Sequence, residues 1–360
     1  MKIIHCSDIH LGASMRTHLS MEQAKRRQDE LLATFLRMIE YAQNNDIRHI
    51  IIAGDLLDTD FVSVKNTKIL LDTISHAPNI DFYYLCGNHD ENSLLLQSDT
   101  IPDNLKTFAS QWTTYSLPFS INITGAMLGK DNASLYENLK LDADKYNIVV
   151  LHGADITGND VSTPDTVNLD KLKNKNIDYL ALGHLHSYKT GKLDSRGTYV
   201  YSGCLEGRGF DECGEKGFVE LDITDKKLSY TFVPFAYRQL HEIEIDITDK
   251  KNNFELQQEI KQKTENLSNN DLVRVIFTGY YDENSQKYFN LAIEPLMRKF
   301  YYVQVKDRTQ VRLNLEKYEN EISIAGEFIK SVRNSGLPQE EQDKIIILGL
   351  KTLKGEEVEF

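Results

Sequence analysis

Cysteine is scarce in this 360-residue chain: Cys6, Cys86, Cys204 and Cys213 are scattered and none stands in a CxxC pair. That spacing excludes a disulfide framework and a zinc knuckle, and the expected compartment is the reducing cytoplasm. No apolar run approaches the ~20 residues that a membrane-spanning helix needs. The opening Met1-Lys2-Ile3-Ile4-His5 reads as a strand and lacks the shape of a signal peptide, so no membrane association is expected. A surplus of positive charge is also missing, since the formal net charge is −13. Residues 1–240 carry 24 Lys/Arg against 32 Asp/Glu, and residues 241–360 carry 17 against 22. Overall charge therefore gives no argument for attraction to nucleic acid. Affinity for a polyanion would have to come from local patches, bound cations or a partner, and would be salt-sensitive. Repeats and low-complexity tracts are absent too.

What is present is an ordinary globular composition, 41% hydrophobic and 26% charged, and enough length for one large domain plus a smaller one. Residues 2–6, 48–53 and 81–86 are β-branched or aromatic runs. Between the first two lies a helical pattern in which Leu31, Phe35 and Ile39 step by four, with Arg26 and Arg27 on a face read as solvated. Val64 to Ser75 reads as a second helix ended by Pro78. Strand, helix, strand, helix, strand implies parallel crossover units, with ligands beyond the carboxyl ends of the strands. From about residue 119 the texture changes to many short strands, which two face-to-face sheets with helices outside would accommodate. A boundary is expected near 240. Residues 241–310 then read as a small α/β domain, and 311–360 as a terminal segment with two amphipathic helices, Ile322–Asn334 and Glu340–Leu353.

Five short motifs come directly after strand-like runs: Ser7-Asp8-Ile9-His10, Gly54-Asp55-Leu56-Leu57-Asp58, Gly87-Asn88-His89-Asp90, Leu151-His152-Gly153 and Gly183-His184-Leu185-His186. Carboxylate, amide carbonyl and imidazole suit divalent ions such as Mn²⁺, Fe²⁺ or Zn²⁺. Asp8, His10, Asp55, Asn88, His152, His184 and His186 make seven candidate ligands, too many for one tetrahedral ion and enough for two sharing a carboxylate. Asp55 is the natural bridge. Asp8 and His10, two apart at a strand end, are expected to point to one side, as are His184 and His186. Two cations ~3.5–4 Å apart hydrolyse phosphate esters by activating a water held between them and neutralising charge on the phosphate oxygens. His89, directly after a ligand, would face the mouth of the site and either protonate the leaving oxygen or stabilise the transition state. Asp58 would orient it. Asp90 reads as a helix cap or supporting residue, and His5, inside the first strand, as a packed residue. Arg208, in the stretch Gly203–Gly209, is a candidate phosphate contact.

The order of these motifs resembles the calcineurin-like metallophosphoesterase superfamily. That resemblance implies a four-layer αββα sandwich with a dinuclear centre: Asp8, His10 and His186 on one ion, Asn88, His152 and His184 on the other, and Asp55 shared. His89 is then the catalytic histidine and Asp58 its partner. The start Ile-Ile-His-Cys-Ser-Asp-Ile-His-Leu-Gly, the segment Ala53–Asp58, and Tyr201-Ser202-Gly203 with Phe210 and Gly214-Glu215-Lys216-Gly217 are similar to SbcD-type DNA repair exonucleases, including the YhaO-like group. This implies a Mn²⁺-dependent nuclease subunit (Fe²⁺, Zn²⁺ and Mg²⁺ being alternatives) with a small capping domain. Its terminal helices would bind an SbcC-like coiled-coil ATPase, in a homodimer within a heterotetramer. Relatives with histidine in place of Asp58 differ at that position.

Two other readings use the same residues. One keeps the centre but changes the substrate to a small phosphodiester, cyclic nucleotide or phosphoprotein; the acidic balance favours it, and the extra residues 243–360 speak against it. The other is a non-catalytic scaffold on this fold. Retention of every site residue argues against that.

Overall fold

In the computed structural model the described residues are 1–15, 19–58, 64–87, 101–129, 132–157, 163, 165–224, 227–248, 250, 252–282, 289–312 and 323–353. The chain forms two compact units, Met1–His241 and Glu242–Phe360. The first opens with β1 (Lys2–Cys6), α1 (Met21–Asn44), β2 (His49–Ala53), α2 (Val64–Ser75), β3 (Asp81–Leu85) and β4 (Leu105–Thr107). Next come β5 (Thr113–Leu117), β6 (Ile121–Gly125), α3 (Asn132–Asn138), β7 (Tyr146–His152), β8 (Ala154–Ile156), β9 (Thr166–Asn168) and α4 (Leu169–Leu172). The unit closes with β10 (Tyr179–Gly183), β11 (Lys189–Lys192), β12 (Thr198–Tyr201), β13 (Gly217–Thr224) and β14 (Lys227–Pro234).

These strands make two six-stranded sheets, ordered β14-β13-β1-β2-β3-β4 and β11-β12-β10-β7-β6-β5. β1 to β4 run parallel, as do β6, β7, β10 and β12; antiparallel strands close both edges of the second sheet and one edge of the first, whose other edge is the parallel β4. The inward faces meet in one apolar layer, where Ile3, Ile51 and Tyr83 of the first sheet pack on Ile123, Ile148 and Ala181 of the second. On the outer side of the first sheet, Ile50, Ile52 and Phe82 pack against Leu31, Phe35 and Met38 of α1 and Leu70 and Ile74 of α2. Outside the second sheet, Val149, Leu151 and Leu180 meet Tyr136 of α3 and Leu172 of α4. The architecture is the four-layer αββα sandwich.

Local sequence explains the main helix. Ser20 Oγ accepts from the Gln23 N–H while Gln23 Oε1 accepts from the Ser20 N–H, a reciprocal cap that satisfies two otherwise orphaned donors. The same helix corrects one expectation. Arg27 is only 2% exposed, and its guanidinium donates to Glu30, Glu206 and the Gly207 carbonyl. Arg26, by contrast, faces water. A buried cation needs this pairing because desolvation otherwise costs several kcal/mol.

The second unit begins within β15 (Leu240–Asp246), which crosses the division, and continues through α5 (Asn253–Lys263), β16 (Leu272–Thr278), β17 (Tyr280–Asp282), α6 (Phe289–Lys299), β18 (Tyr302–Asp307) and β19 (Gln310–Arg312). A three-stranded sheet β15-β16-β18 shares a core with α5 and α6 through Ile245, Val275, Phe277, Ile260 and Ile293. Two last helices, α7 (Ile324–Arg333) and α8 (Gln339–Leu353), bury Ile329, Val332, Ile346 and Leu350 between them. They leave Ile324, Ile345, Ile347 and Leu353 exposed.

His5 is fully buried between the sheets, with Nδ1 2.9 Å from the Tyr179 hydroxyl, and burial pulls its pKa down to about 3. A depressed histidine pKa stabilises the fold fully above the unfolded value of about 6.5, and the contribution fades as pH falls toward 3. Wild type is therefore expected to lose about 2 kcal/mol more than His5→Asn between pH 7 and pH 5. Denaturant unfolding of both proteins at the two pH values checks this; equal losses would show that His5 carries no such linkage.

Candidate metal centre

The strands stop early, and the loops beyond them build the site. β1 ends at Cys6, so Asp8 and His10 do not share a side through strand alternation, contrary to the expectation from their spacing. Instead both take left-handed backbone, φ 52° and 49°, and Asp55 after β2 does the same at 52°. Such backbone costs an L-residue about 1 kcal/mol, least for Asp and Asn, and a lattice of hydrogen bonds holds it. The N–H of Asp8 donates to the Gly54 carbonyl at 3.0 Å, that of His10 to Asp55 at 2.9 Å, and that of Leu11 to Leu56 at 2.9 Å; Asp58 returns one to Leu11 at 3.0 Å. The segment after β1 is thus zipped to the segment after β2.

The second sheet is brought equally close. His152 Nδ1 lies 2.9 Å from the Ala53 carbonyl across the layer. A Cβ on Gly183 would fall 1.9 Å from the same carbonyl oxygen, and one on Gly54, at φ 92°, would fall 2.1 Å from the His152 ring. Glycine precedes Asp55 and His184 because only hydrogen fits there.

The outcome is a cluster with little access to water: Asp8 is 0% exposed, Asp55 2%, His10 1% and His152 4%. Asp8, His10 and His186 offer ligand atoms all within 4.8 Å of one another, and so do Asp8, Asp55 and His152. Asp55 Oδ2 is 3.3 Å from His152 Nε2 and 3.7 Å from His10 Nε2, so one oxygen faces a ring from each group. His10 Nε2 and His186 Nε2 are 3.3 Å apart, and His186 Nε2 is 3.8 Å from Asp8 Oδ1. The His184 ring stands perpendicular to that of His152 at 5.5 Å. The Asp8 carboxylate accepts the His184 N–H at 2.9 and 3.0 Å and the Ser7 hydroxyl at 2.5 Å. Five of the seven candidate ligands thus offer clustered ligand atoms, and the ring of a sixth, His184, stands against that of His152. Asn88, His89 and Asp90 lie outside the described residues. Asp58 is buried behind Asp55 in sequence, pinned by its backbone bond to Leu11.

Charge here is poorly compensated by the protein alone. Burial pushes the Asp8 carboxyl above its usual range, against the pull of His152 and the Ser7 bond. Burial disfavours a charged His152, yet the close approach of Asp55 and the charges of Asp8 and Asp55 prevail and raise it to about 9. His184 is lowered, first by burial and then by its charged neighbour His152. With Nδ1 on the Ala53 carbonyl, the buried Nε2 of His152 faces Asp55 without an aligned hydrogen bond. Either a proton or a cation between them would satisfy His152 Nε2. The oxygen and nitrogen donor set fits divalent Mn, Fe or Zn.

Several supporting residues escaped sequence reasoning. Glu212, 5% exposed, places Oε1 2.7 Å from His186 Nδ1. Arg208 grips the same carboxylate through its backbone N–H at 2.8 Å and through Nη2 at 2.7 Å, so its described bonds serve Glu212 and the His186 ring. Glu212 sits well below the usual carboxylate range because, although burial opposes charge, bonds from His186 and Arg208 outweigh it. Lys216 Nζ donates to the His186 carbonyl at 2.8 Å, and Ser202 Oγ lies 2.8 Å from Ser7 Oγ. The available signal was position: Glu212 lies inside the stretch from Phe210 to Gly217.

The fold and this cluster define a phosphoesterase, and residues 1–188 match the family model described as calcineurin-like phosphoesterase. The chain belongs to that family. Among curated relatives, it is 30% identical over 305 residues to the SbcD component of nuclease SbcCD from Staphylococcus epidermidis, covering 74% of this chain and 77% of that protein. It is 26% identical over 280 residues to the protein of the same name from Staphylococcus saprophyticus, covering 68% and 72%. Against the uncharacterized metallophosphoesterase YhaO of Bacillus subtilis it is 26% identical over 249 residues, 64% of this chain, and spans only 60% of that protein's length. Among the described residues no helix is long and apolar enough to cross a membrane.

Gly183→Ala is expected to cost about 3 kcal/mol, because the new Cβ forces backbone apart at the sheet contact. Gly129→Ala, where a Cβ meets nothing within 4 Å, is expected to leave the melting temperature unchanged. Thermal unfolding of the pair checks the claim.

Proposed function

We propose that this chain is a DNA nuclease subunit, hydrolysing phosphodiesters at a dinuclear centre and working in DNA repair with an SbcC-like ATPase in the cytoplasm. The observation that carries the reading is the pair of overlapping ligand groups at four strand ends, Asp8-His10-His186 and Asp8-Asp55-His152, in a chain whose relatives include the SbcD component of nuclease SbcCD. Asp8, His10 and His186 would hold one ion and Asn88, His152 and His184 the other, with Asp55 between them. Mn²⁺ is the proposed metal. Two such cations supply Lewis acidity, which brings a water's pKa toward neutrality and offsets charge on the phosphate oxygens.

The residues do the rest. Asp55 presents one oxygen to rings from both groups, which sets the spacing, and the Ser7 and His184 bonds hold the Asp8 carboxylate in place. His89 is proposed as the proton donor to the leaving oxygen, with Asp58 orienting it. Arg208 is proposed to touch substrate phosphate in addition to holding Glu212. Residues 241–310 are proposed as a capping domain and 311–360 as the segment that docks the ATPase. Exposed Ile324, Ile345, Ile347 and Leu353 support docking. A homodimer within a heterotetramer follows from the same reading.

His89→Ala is expected to lower turnover of end-labelled duplex DNA in Mn²⁺ by about 10²–10⁴-fold while two ions stay bound. Metal analysis beside the digestion tests both halves; undiminished cleavage by the variant would remove the assignment. The acidic surface favours a second substrate class, so cyclic nucleotides are run in parallel, and cleavage of these without DNA would replace the nuclease reading. In a thermal scan, free Mn²⁺ at 100 times its dissociation constant is expected to add about 2.7 kcal/mol of stability, and Asp8→Asn to abolish most of that gain.

A further inference from the structure

One side of the cluster is held by a single loop. From the segment between β12 and β13, Cys204 donates its backbone N–H to the His186 carbonyl at 3.4 Å, Lys216 Nζ donates to the same oxygen at 2.8 Å, and Glu212 meets the ring. Glu212 is itself tightly placed: its N–H donates to the Gly209 carbonyl at 2.9 Å, and Arg208 donates to its carboxylate from the backbone, from Nε at 3.1 Å and from Nη2. Neither carboxylate nor guanidinium can leave without stranding the other in a largely dry place.

We infer that Glu212, gripped by Arg208, is a positioning residue that fixes His186 with Nδ1–H toward the carboxylate and the Nε2 lone pair toward Asp8 and His10. The inference rests on the dinuclear reading above and extends it. Two groups compete for His186 Nδ1: Glu212 Oε1 at 2.7 Å and Arg208 Nη2 at 2.9 Å. The guanidinium nitrogen has two hydrogens, one of which goes to that same oxygen at 2.7 Å, and it also lies 3.4 Å from His186 Nε2; the carboxylate contact, the shorter one, decides. A bare Nδ1 would set two lone pairs against each other at 2.7 Å, so Nδ1 carries the hydrogen, and in the neutral ring Nε2 is then the bare nitrogen. It lies 3.3 Å from His10 Nε2 and 3.8 Å from Asp8 Oδ1, on the side where these atoms gather. His152 fixes its own ring differently, through the Ala53 backbone carbonyl. The Glu212 device therefore serves the Asp8-His10-His186 ion and leaves the other untouched.

The test uses the full chain. Glu212→Gln removes the charge and lets the amide turn either group to the ring. The double variant Glu212→Leu, Arg208→Met removes both buried charges together and guards against misfolding from a stranded guanidinium. In metal-free protein labelled with ¹⁵N-histidine, ring-nitrogen spectra are expected to show His186 as the Nδ1–H tautomer in wild type and as a mixture in both variants. In calorimetric Mn²⁺ titration one of two sites is expected to weaken by about 10–100-fold, the second staying within twofold. Variants with an unchanged tautomer and two unchanged affinities would overturn the inference. Wild-type protein that takes up no ion would instead overturn the dinuclear reading, and the ring spectra would still decide the role of Glu212.

Discussion

Asp8 and Asp55 are carboxylates withdrawn almost wholly from water, and their desolvation governs the surrounding design. Leaving a buried carboxylate uncompensated costs several kcal/mol. The Asp8 carboxylate receives a backbone N–H from His184 and a hydroxyl from Ser7, while both acids draw on the charge that His152 takes up. These partners come from both sheets: Ser7 follows β1, His152 ends β7 and His184 follows β10. The acids can be buried only if the carboxyl ends of the two sheets close on each other. That closure requires the missing side chain of Gly183 against Ala53. Electrostatics at the cluster and packing between the sheets are one constraint.

Much of the scaffold was legible because it rests on local periodicity. Alternating strand and helix at the start implied the parallel order of β1, β2 and β3, and the spacing of Leu31, Phe35 and Ile39 matches the face that α1 buries. Elements without an apolar signature were not visible. β11 is Lys-Thr-Gly-Lys, an exposed edge strand that exists through antiparallel pairing with β12, with the Lys189 ammonium near the faces of Tyr199 and Tyr201. α3, with seven residues, and β8 and β9, with three each, are too short to show a period. At the centre, motif order named the residues that gather, but strand alternation is not why Asp8 and His10 converge. Left-handed backbone and hydrogen bonds to the β2 loop bring them together. Glu212 and the burial of Arg27 depend on partners 26 and 179 residues away, which no local pattern reports.

The left-handed backbone at Asp8, His10 and Asp55 also bears on preorganisation. Three strained residues, at about 1 kcal/mol each, persist because the ladder from Gly54 to Leu56 over-determines them. A ligand arriving at such a site finds donors already placed and need not order them. Glu212 and Arg208 act in the same sense on His186, which at 28% side-chain exposure is the more open of the rings whose contacts are described in that group. In that group the more exposed ring is the one held by an ion pair.

Global charge then limits how a polyanion reaches this centre. Both units are acidic on balance, by 24 against 32 and 17 against 22 when the chain is divided at residue 240, so long-range steering by net charge works against DNA. On the proposed reading two divalent ions add four positive charges inside the cluster, yet screening confines their reach to about 8 Å at physiological ionic strength. Attraction of that range holds a phosphate already delivered but does not gather duplex from solution. Delivery must fall to a separate surface, and the exposed aliphatic residues of α7 and α8 offer a place to attach one. On the proposed reading, an acidic chain whose terminal helices leave aliphatic side chains exposed divides the labour, with chemistry here and DNA affinity on a partner docked at those helices.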